Sequence, residues 1–275
     1  MGSAQGHSRP YSYFESSRMT QTAESKAILG YVIAAFFLIL VHDAVAEEKI
    51  SVVHNGVEAD LFAPRTAQAL RKELNAENKF VVCYIGTIGN AHGLNTLIEA
   101  AAKLQQTAPQ VLFLLIGEGA DKERIISLIN ERKLTNIRIL AHQPREKIPE
   151  FINVSDACLV LLKKAEVFKT VIPTKMLEFM SCAKPVILGV QGQACEILEQ
   201  ANAGIAIMPE NSEELAQAIM QLANNHSLCQ EFGQNGRNHI VRYFDRMNSA
   251  NIYAALLEEL LGEDVSLAVT APQST

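Results

Sequence analysis

From residue 49 onward, short runs of apolar residues alternate with stretches that have helical periodicity. Four of the runs read FVVCYIG, QVLFLLIG, ACLVLLK and KPVILGV, and the stretches between them include LNTLIEAAAKLQ and DKERIISLINERK. Strands that are apolar throughout, instead of alternating with polar residues, are typical of a parallel sheet that is covered on both faces. This order predicts an α/β fold: a doubly wound, Rossmann-like parallel sheet over residues 49–262, with a helical C-terminal extension.

Two further predictions concern the ends of single elements. The stretch KISVVHNGV, residues 49–57, is predicted to be a short first strand that ends at the turn pair Asn55-Gly56. In SEELAQAIMQLANN, Ser212 is predicted to be the N-cap of a helix whose first turn holds two glutamates.

The two ends of the chain lie outside this pattern. Residues 1–48 are too few for a second Rossmann-like domain, and residues 263–275 are predicted to be a flexible tail. Residues 27–41, AILGYVIAAFFLILV, are continuously apolar but shorter than the roughly 18 residues of a spanning helix. Three interpretations stay open for this stretch: a signal-peptide core, a short or surface membrane anchor, or a buried helix.

Charge and composition narrow the classes of function. The formal net charge of −6 and the absence of tryptophan argue against a nucleic-acid partner. The cysteines are scattered singly without a C-x-x-C pair, which argues against a metal or redox site and favours buried free thiols in a reducing compartment. They are Cys83, Cys158, Cys182, Cys195 and Cys229.

The stretch VIPTKMLEFM, residues 171–180, places a lysine in the first turn of a predicted helix. A cation is disfavoured there by the helix dipole, unless the helix start binds an anion. With Thr174 as N-cap, the following amides and Lys175 would bind phosphate, and Glu178 on the same face would accept hydrogen bonds from sugar hydroxyls. The alternative is an ordinary exposed Lys-Glu pair, worth about 0.3 kcal/mol.

Several stretches resemble, in order and spacing, glycosyltransferases of the GT-B fold, family 4. PTKMLEFMSCAKPVI is similar to the family's Pro-Ser-Lys and glutamate motif, which is followed by a basic residue, proline and an apolar strand. ISVVHNGVEADLF resembles its stretch at the domain junction, and LLIGEGADKERI and RILAHQPREKIPEFINVSDACLVLL also match. The resemblance covers residues 49–261 and is to the C-terminal, donor-binding domain. Bacterial N-acetylfucosamine-type transferases are closest in style.

The resemblance implies a retaining, metal-independent hexosyltransferase that needs no cofactor, because the nucleotide-sugar, such as a UDP-sugar, is the donor substrate. It implies that Lys175 and Glu178 are the catalytic residues, with Lys175 stabilising the departing diphosphate and Glu178 holding the ribose. The segment 141–143 would lie against the base, and the loop 86–93 would approach the phosphates and the donor sugar. The substrate-binding residues that it implies are Gly86, Thr87, Gly89, His92, Gly117, His142, Gln143, Pro173, Thr174, Lys175 and Glu178.

The chain departs from the family pattern at several positions. Thr87 and His92 stand where the family's loop G-R-L-x-x-x-K-G has its arginine and lysine, and Thr170 stands where it has an acidic residue. A similar GxIGxxxGL loop in the N-acetylfucosamine-type branch suggests a subfamily trait; weakened catalysis is the alternative. A lysine cluster is available to replace the missing charge: Lys163, Lys164, Lys169 and Lys175.

Length is the largest departure, because GT-B enzymes have two Rossmann-like domains and bind the acceptor mainly in the first. The chain therefore resembles the donor half alone, and a transferase would need a partner subunit or missing domain for its glycan or lipid-linked acceptor. A non-catalytic nucleotide-sugar-binding module and an epimerase of the related GT-B type are the other hypotheses. The resemblance places the protein in the cytoplasm, at the inner face of a membrane, with polysaccharide biosynthesis as its setting.

Overall fold

The computed structural model describes residues 50–261 of the chain. One compact unit begins at Ser51. The other, Met1–Ile50, lies almost wholly outside the described residues, as does the end of the chain from residue 262. The predictions for residues 27–41 and for the tail fall on these parts.

The described residues form a six-stranded, entirely parallel sheet with the order β3-β2-β1-β4-β5-β6. The strands are β1 Phe80–Ile85, β2 Val111–Ile116, β3 Ile137–Leu140, β4 Ala157–Leu161, β5 Val186–Gly189 and β6 Gly204–Ala206. Four of these are the apolar runs quoted above, and β1, β2, β4 and β5 are buried almost throughout. The predicted doubly wound, Rossmann-like sheet is confirmed.

Nine α-helices lie within residues 50–261, of which the first precedes the strands and the others connect or follow them. They are α1 Gln68–Glu73, α2 Asn95–Thr107, α3 Lys122–Glu131, α4 Ile148–Val154, α5 Thr174–Ser181, α6 Gln193–Ala201, α7 Ser212–Ala223, α8 His226–Tyr243 and α9 Arg246–Leu261. Short 3₁₀ segments occupy Asn90–His92, Arg145–Lys147 and Glu166–Thr170. Helices α8 and α9 are the predicted C-terminal extension.

The core has two halves, one on each face of the sheet, because successive strand residues point to opposite sides. On β1, Val82 and Tyr84 pack into one half with helices α2, α3 and α7. Val81, Cys83 and Ile85 pack into the other half with helices α4, α5, α6 and α8. This arrangement explains why the strands lack alternation: both of their faces are covered.

Two predictions about element ends are wrong. Residues 50–56 have no regular secondary structure, and the next residue, Val57, forms one isolated bridge with Asp245. The stretch lies outside the sheet, and Val52 is 59% exposed. Its apolar residues are therefore not buried as those of a sheet strand would be. The N-cap of α7 is Asn211, whose side chain accepts from the N–H groups of Glu213 and Glu214, so Ser212 is the first helical residue.

The cysteines are free thiols, as predicted. Cys83, Cys158, Cys182 and Cys229 are buried, and Cys195 is partly exposed. Burial raises the pKa of the Cys182 thiol to about 12, so it stays protonated at neutral pH. The four buried cysteines therefore serve as small apolar core residues.

Candidate functional site

The strand order predicts a binding crevice above the ends of β1 and β4. These two strands are neighbours, but β1 connects onward to β2 on one side and β4 to β5 on the other. Where connections diverge in this way, the loops after the two strands separate and leave room for a ligand. The loop 86–93 follows β1, and the loop 162–173 leads from β4 to helix α5.

Helix α5 begins without a side-chain cap. Its N-cap is Pro173, with extended backbone, and Thr174 is the first helical residue. The prediction of Thr174 as N-cap is therefore wrong by one residue, because the extended conformation that a cap requires falls on the proline. No side chain caps the first turn, in which the N–H of Met176 donates to the carbonyl of Pro173 over 2.9 Å. A helix start without a side-chain cap is suited to an anion.

The ammonium of Lys175 reaches over the end of β1. Its Nζ lies 4.4 Å from the centroid of the Tyr84 ring and donates to the Tyr84 hydroxyl over 3.3 Å. A Cβ on Gly86 would lie 2.6 Å from this Nζ, so the glycine makes room for the ammonium. Burial raises the pKa of the Tyr84 hydroxyl far above its usual value, so the phenol is neutral beside the cation.

The turn after β1 rests on the turn after β2, backbone against backbone. The N–H of Ile88 donates to the carbonyl of Glu118 over 2.8 Å. A Cβ on Gly117 would lie 1.8 Å from the carbonyl oxygen of Gly86, and one on Gly119 would lie 2.2 Å from that of Ile88. Peptide groups therefore form the surface at the ends of β1 and β2, beside the predicted crevice. This surface is called the glycine floor below.

His92 lies at the end of the loop 86–93, in the short segment Asn90–His92. Its ring meets the Tyr84 ring edge-on, with centroids 6.2 Å apart, and its Nδ1 is buried without a hydrogen-bond partner among the described residues. Burial and then the charge of Lys175 lower the pKa of His92 to about 4. The imidazole is therefore neutral at pH 7 and does not replace the charge of a lysine.

The carboxylate of Glu178 is held by Arg145, which the sequence reasoning did not single out. Nη1 of Arg145 lies 3.2 Å from Oε1 of Glu178, and its guanidinium lies 5.1 Å above the Phe62 ring. Nη2 of Arg145 lies 3.5 Å from Oε1 of Glu58, which also pairs with Arg246. The Glu178 side chain is only 14% exposed, so this contact orients a largely buried carboxylate.

His142 and Gln143 lie further along the same edge of the sheet, after β3. His142 is exposed and lies close to Glu118, whose pKa is lowered chiefly by Lys122. The side chain of Gln143 donates to the carbonyl of Ala141 over 3.0 Å. The segment 141–143 thus lies at the same edge of the sheet as the start of α5. The loop that contains it reaches α5 through the contact of Arg145 described above.

The lysines of the predicted cluster make separate contacts. The backbone N–H of Lys163 donates to Ala91, and its side chain packs beside Gly93 in the loop after β1. Lys169 pairs with Glu166 over 2.8 Å. The recess lined by Lys163, Lys164 and Lys169 has a volume of about 10 Å³, room for about one water molecule. A larger ligand would therefore lie across the strand ends instead of inside this recess.

The structure thus brings Gly86, His92 and Lys175 together around Tyr84, and it places Thr87 against Tyr84 through a hydrogen bond from the hydroxyl. Gly117 lies beneath this group in the glycine floor. Gly89 lies beside the His92 ring, where a Cβ on the glycine would be 3.5 Å from Nδ1. Sequence reasoning missed Tyr84 because it has the pattern of an ordinary buried strand residue.

Two features are absent from the described part of the chain. Among residues 50–261, no three His, Cys, Asp or Glu side chains are grouped so that they hold a metal ion. Over the same residues, none of the helices combines the length and apolarity that crossing a membrane requires.

Comparison with known proteins gives one family and many structures of the same fold. Residues 66–239 match the family described as Glycosyl transferases group 1. A glycosyl transferase named for colanic acid biosynthesis in Escherichia coli (strain K12), WcaI, is 25% identical over 218 residues, which are 74% of this chain and 52% of that protein. The chain spans about half the length of the curated relatives it matches.

Two solved structures show the extent of the similarity. A crystal structure of Anabaena Alr3699/HepE in complex with UDP has a TM-score of 0.71 at 22% identity, over 80% of this chain and 60% of that one. The C-terminal domain of a group 1 glycosyl transferase, LpcC from Francisella tularensis, has a TM-score of 0.61 at 21% identity. That match covers 69% of this chain and 99% of the domain. These likenesses establish the shared fold.

Proposed function

The chain belongs to the group 1 glycosyl transferases, and from this premise we propose that it is the donor-binding part of a GT-B glycosyltransferase. In this proposal it binds a nucleotide-diphosphate-sugar and takes part in transferring the sugar to an acceptor. The proposal requires no small molecule other than the donor. Stabilising the departing diphosphate is an electrostatic task, and fixed dipoles with one cation perform it in this proposal.

The start of helix α5 is the observation that carries the proposal. It lies at the end of the crevice between β1 and β4, it has no side-chain cap, and its second residue is Lys175. An uncapped helix start with an ammonium beside it attracts a doubly charged group far better than a neutral one. A diphosphate is the part of a nucleotide-sugar that matches this charge.

The remaining residues are assigned by their places around that point. In the proposal, Pro173, Thr174 and Lys175 bind the diphosphate, and Glu178 accepts hydrogen bonds from the ribose hydroxyls. The backbone of the segment 141–143, with His142 and Gln143, lies against the base. The loop 86–93 over the glycine floor lies against the phosphates and the sugar.

Finer features of the proposal rest on the resemblance found in the sequence. They are membership of family 4 in the style of N-acetylfucosamine-type transferases, retention of the anomeric configuration, and a glycan or lipid-linked acceptor. Because the chain spans about half of its relatives' length, the acceptor site is proposed to come from a partner subunit or a further domain. We also propose that the reaction takes place in the cytoplasm at the inner face of a membrane, where such acceptors meet their donors.

A non-catalytic nucleotide-sugar-binding module is the second candidate. It is favoured by the loop after β1, where Thr87 and His92 replace two cations and the low pKa of His92 keeps it neutral. Fewer positive charges around the leaving diphosphate weaken stabilisation of the transition state more than they weaken binding of the donor.

Titration calorimetry of the full chain with UDP, GDP, ADP and CDP tests the proposal. We expect one nucleoside diphosphate to bind, and we expect Lys175→Met to weaken that binding by about 10-fold or more, the size of a lost charge-assisted hydrogen bond. Lys103→Met is the matched control, because Lys103 is an exposed lysine that pairs with Glu213 away from the crevice. The absence of binding by all four nucleotides would contradict the proposal.

Hydrolysis of the corresponding nucleotide-sugar separates the two candidates. A transferase site activates water slowly in place of its acceptor, so release of the nucleoside diphosphate above the uncatalysed rate supports transfer. Binding without any such release supports the binding module.

A further inference from the structure

Tyr84 is a buried polar residue at the end of β1 whose hydroxyl has two partners. Its side chain is fully buried, and its hydroxyl donates to the carbonyl oxygen of Thr87 over 2.7 Å. A hydroxyl has only one hydrogen, so the oxygen faces its other partner purely as an acceptor. That partner is Lys175, whose ammonium donates to it over 3.3 Å.

The aromatic ring of Tyr84 contacts the same ammonium. Nζ of Lys175 lies 4.4 Å from the ring centroid, within the range of about 6 Å in which a ring face attracts a cation. The ring and the oxygen therefore fix the ammonium at two points. A leucine or phenylalanine at this position would fill the core but would lack one or both of these contacts.

These contacts cross from one face of the sheet to the other. Helix α5 packs its apolar residues into the core half that contains Cys83, whereas Tyr84 belongs to the opposite half. Lys175 therefore spans the end of β1 to reach the phenol, and it passes the place where a side chain on residue 86 would lie. This path holds the charge above the glycine floor, where peptide groups of the turns after β1 and β2 meet.

We propose that Tyr84 is a positioning residue, which aims the ammonium of Lys175 across the end of β1 at the diphosphate of the donor. The identity of the target rests on the proposed function, whereas the positioning of Lys175 does not. Tyr84 itself touches no donor atom in this arrangement and acts through Lys175.

A double-mutant cycle on the full chain, with UDP as the probe, tests the link to the diphosphate. Tyr84→Phe removes only the oxygen, and we expect it to weaken UDP binding about five-fold, because the ammonium keeps its contact with the ring but loses the oxygen to which it donates. In the background of Lys175→Met, the same change is expected to alter the affinity less than about two-fold, because coupled residues are not additive. Equal losses in both backgrounds would overturn the proposal, as would an unchanged affinity in Tyr84→Phe alone.

The Lys175 side chain itself provides a readout that needs no ligand. In the NMR spectrum of lysine-labelled protein, its ε-CH₂ signal is identified by its loss in Lys175→Met. We expect this signal to be shifted upfield by the Tyr84 ring, and to move toward the position of exposed lysines in Tyr84→Leu. A signal without this shift in the unaltered chain would overturn the proposal.

The matched control is Tyr243→Phe, because Tyr243 is exposed and carries the guanidinium of Arg242 at 5.1 Å over its ring. It should change neither UDP affinity nor the Lys175 signal. If the unaltered chain binds no UDP but shows the upfield signal, the positioning of Lys175 by Tyr84 stands and UDP is not its target. Failure of this inference is thus distinguishable from failure of the proposed function.

Discussion

The position of Lys175 at the start of α5 carries an energetic cost that its neighbour offsets. A cation in the first turn of a helix is disfavoured by about 0.3 to 1 kcal/mol. The contact with the Tyr84 ring contributes about 0.5 to 2 kcal/mol in the opposite direction, depending on how far the ammonium is desolvated. The two effects are of similar size, so the ammonium lies near the helix start at little cost.

Replacement of Glu178 tests its assignment to the ribose. We expect Glu178→Ala to weaken binding of the nucleoside diphosphate by about 10- to 100-fold, the effect of losing hydrogen bonds to a carboxylate. Calorimetry measures this, and Glu213→Ala is the matched control, because Glu213 is an exposed glutamate in the first turn of α7. Unchanged affinity in Glu178→Ala would remove the residue from the site.

The pKa of His92 makes folding stability depend on pH. The folded-state pKa of about 4 lies below the ordinary value of 6.5, so between these values the unfolded chain binds a proton that the folded chain does not. Stability is therefore full above pH 6.5 and falls as the pH drops toward 4, by about 2 to 3 kcal/mol from this residue. In His92→Asn this part of the loss should disappear.

Urea unfolding at pH 7, 5.5 and 4.5 measures the effect in both proteins. His239, whose pKa burial also lowers, is present in both and contributes equally, so it cancels in the difference. Identical pH dependence in the two proteins would show that His92 titrates normally.

Among the elements, helices α5 and α7 begin differently. Helix α5 has no side-chain cap, whereas Asn211 caps α7 by accepting from the amides of Glu213 and Glu214 over 3.1 Å each. We expect Asn211→Ala to lower the free energy of unfolding by about 1 kcal/mol. Ser212→Ala, one residue on, should change it by less than about 0.5 kcal/mol. Urea unfolding checks this pair, and a larger loss in Ser212→Ala would contradict the assignment of the cap.

These two helix starts also show what the sequence could and could not predict. Both helices and the strand before α5 were predicted, because long apolar runs and helical periodicity are strong signals. The caps were each misplaced by one residue, because the sequence does not reveal which of two neighbours has the extended backbone. For α7 both neighbours, asparagine and serine, are good caps. The stretch 49–57 was predicted as a strand because its apolar residues resemble one, but its described residues, 50–57, pair with no strand of the sheet.

The residues of the candidate site could be found from the sequence only in part. The sequence pattern and the family resemblance led to Lys175 and Gly86, since both lie in local motifs. The contacts that orient the charged groups were not predicted, because they join residues distant in the chain. Tyr84 and Lys175 are 91 positions apart, and Arg145 and Glu178 are 33 positions apart. Such pairs become neighbours only through the strand order.

For the molecule as a whole, Arg237 connects the beginning of the described chain to its later helices. From α8, its Nη1 donates to the carbonyl oxygens of Ala59, Phe62 and Ser181 over 2.8 to 3.0 Å. The hydroxyl of Ser181 donates to Phe62 over 2.7 Å in the same cluster. A single guanidinium thus joins the segment after residue 57 to α5 and α8.

Removal of this guanidinium should loosen the whole domain. We expect Arg237→Leu to lower the free energy of unfolding by about 2 to 3 kcal/mol, because three carbonyl groups lose a charged donor. Arg242→Leu, five residues on at an exposed position of the same helix, should change it by less than about 0.5 kcal/mol. Urea unfolding of the full chain measures both, and equal stabilities would show that the segment after residue 57 is held by other contacts.

The glycine floor has a consequence for anyone who redesigns this protein. The backbone of Gly117 and Gly119 lies so close to the peptide groups of Gly86 and Ile88 that a side chain on either of these two glycines would force the turns apart. A variant library over this edge of the sheet therefore has to keep Gly117 and Gly119 and vary the exposed residues around them.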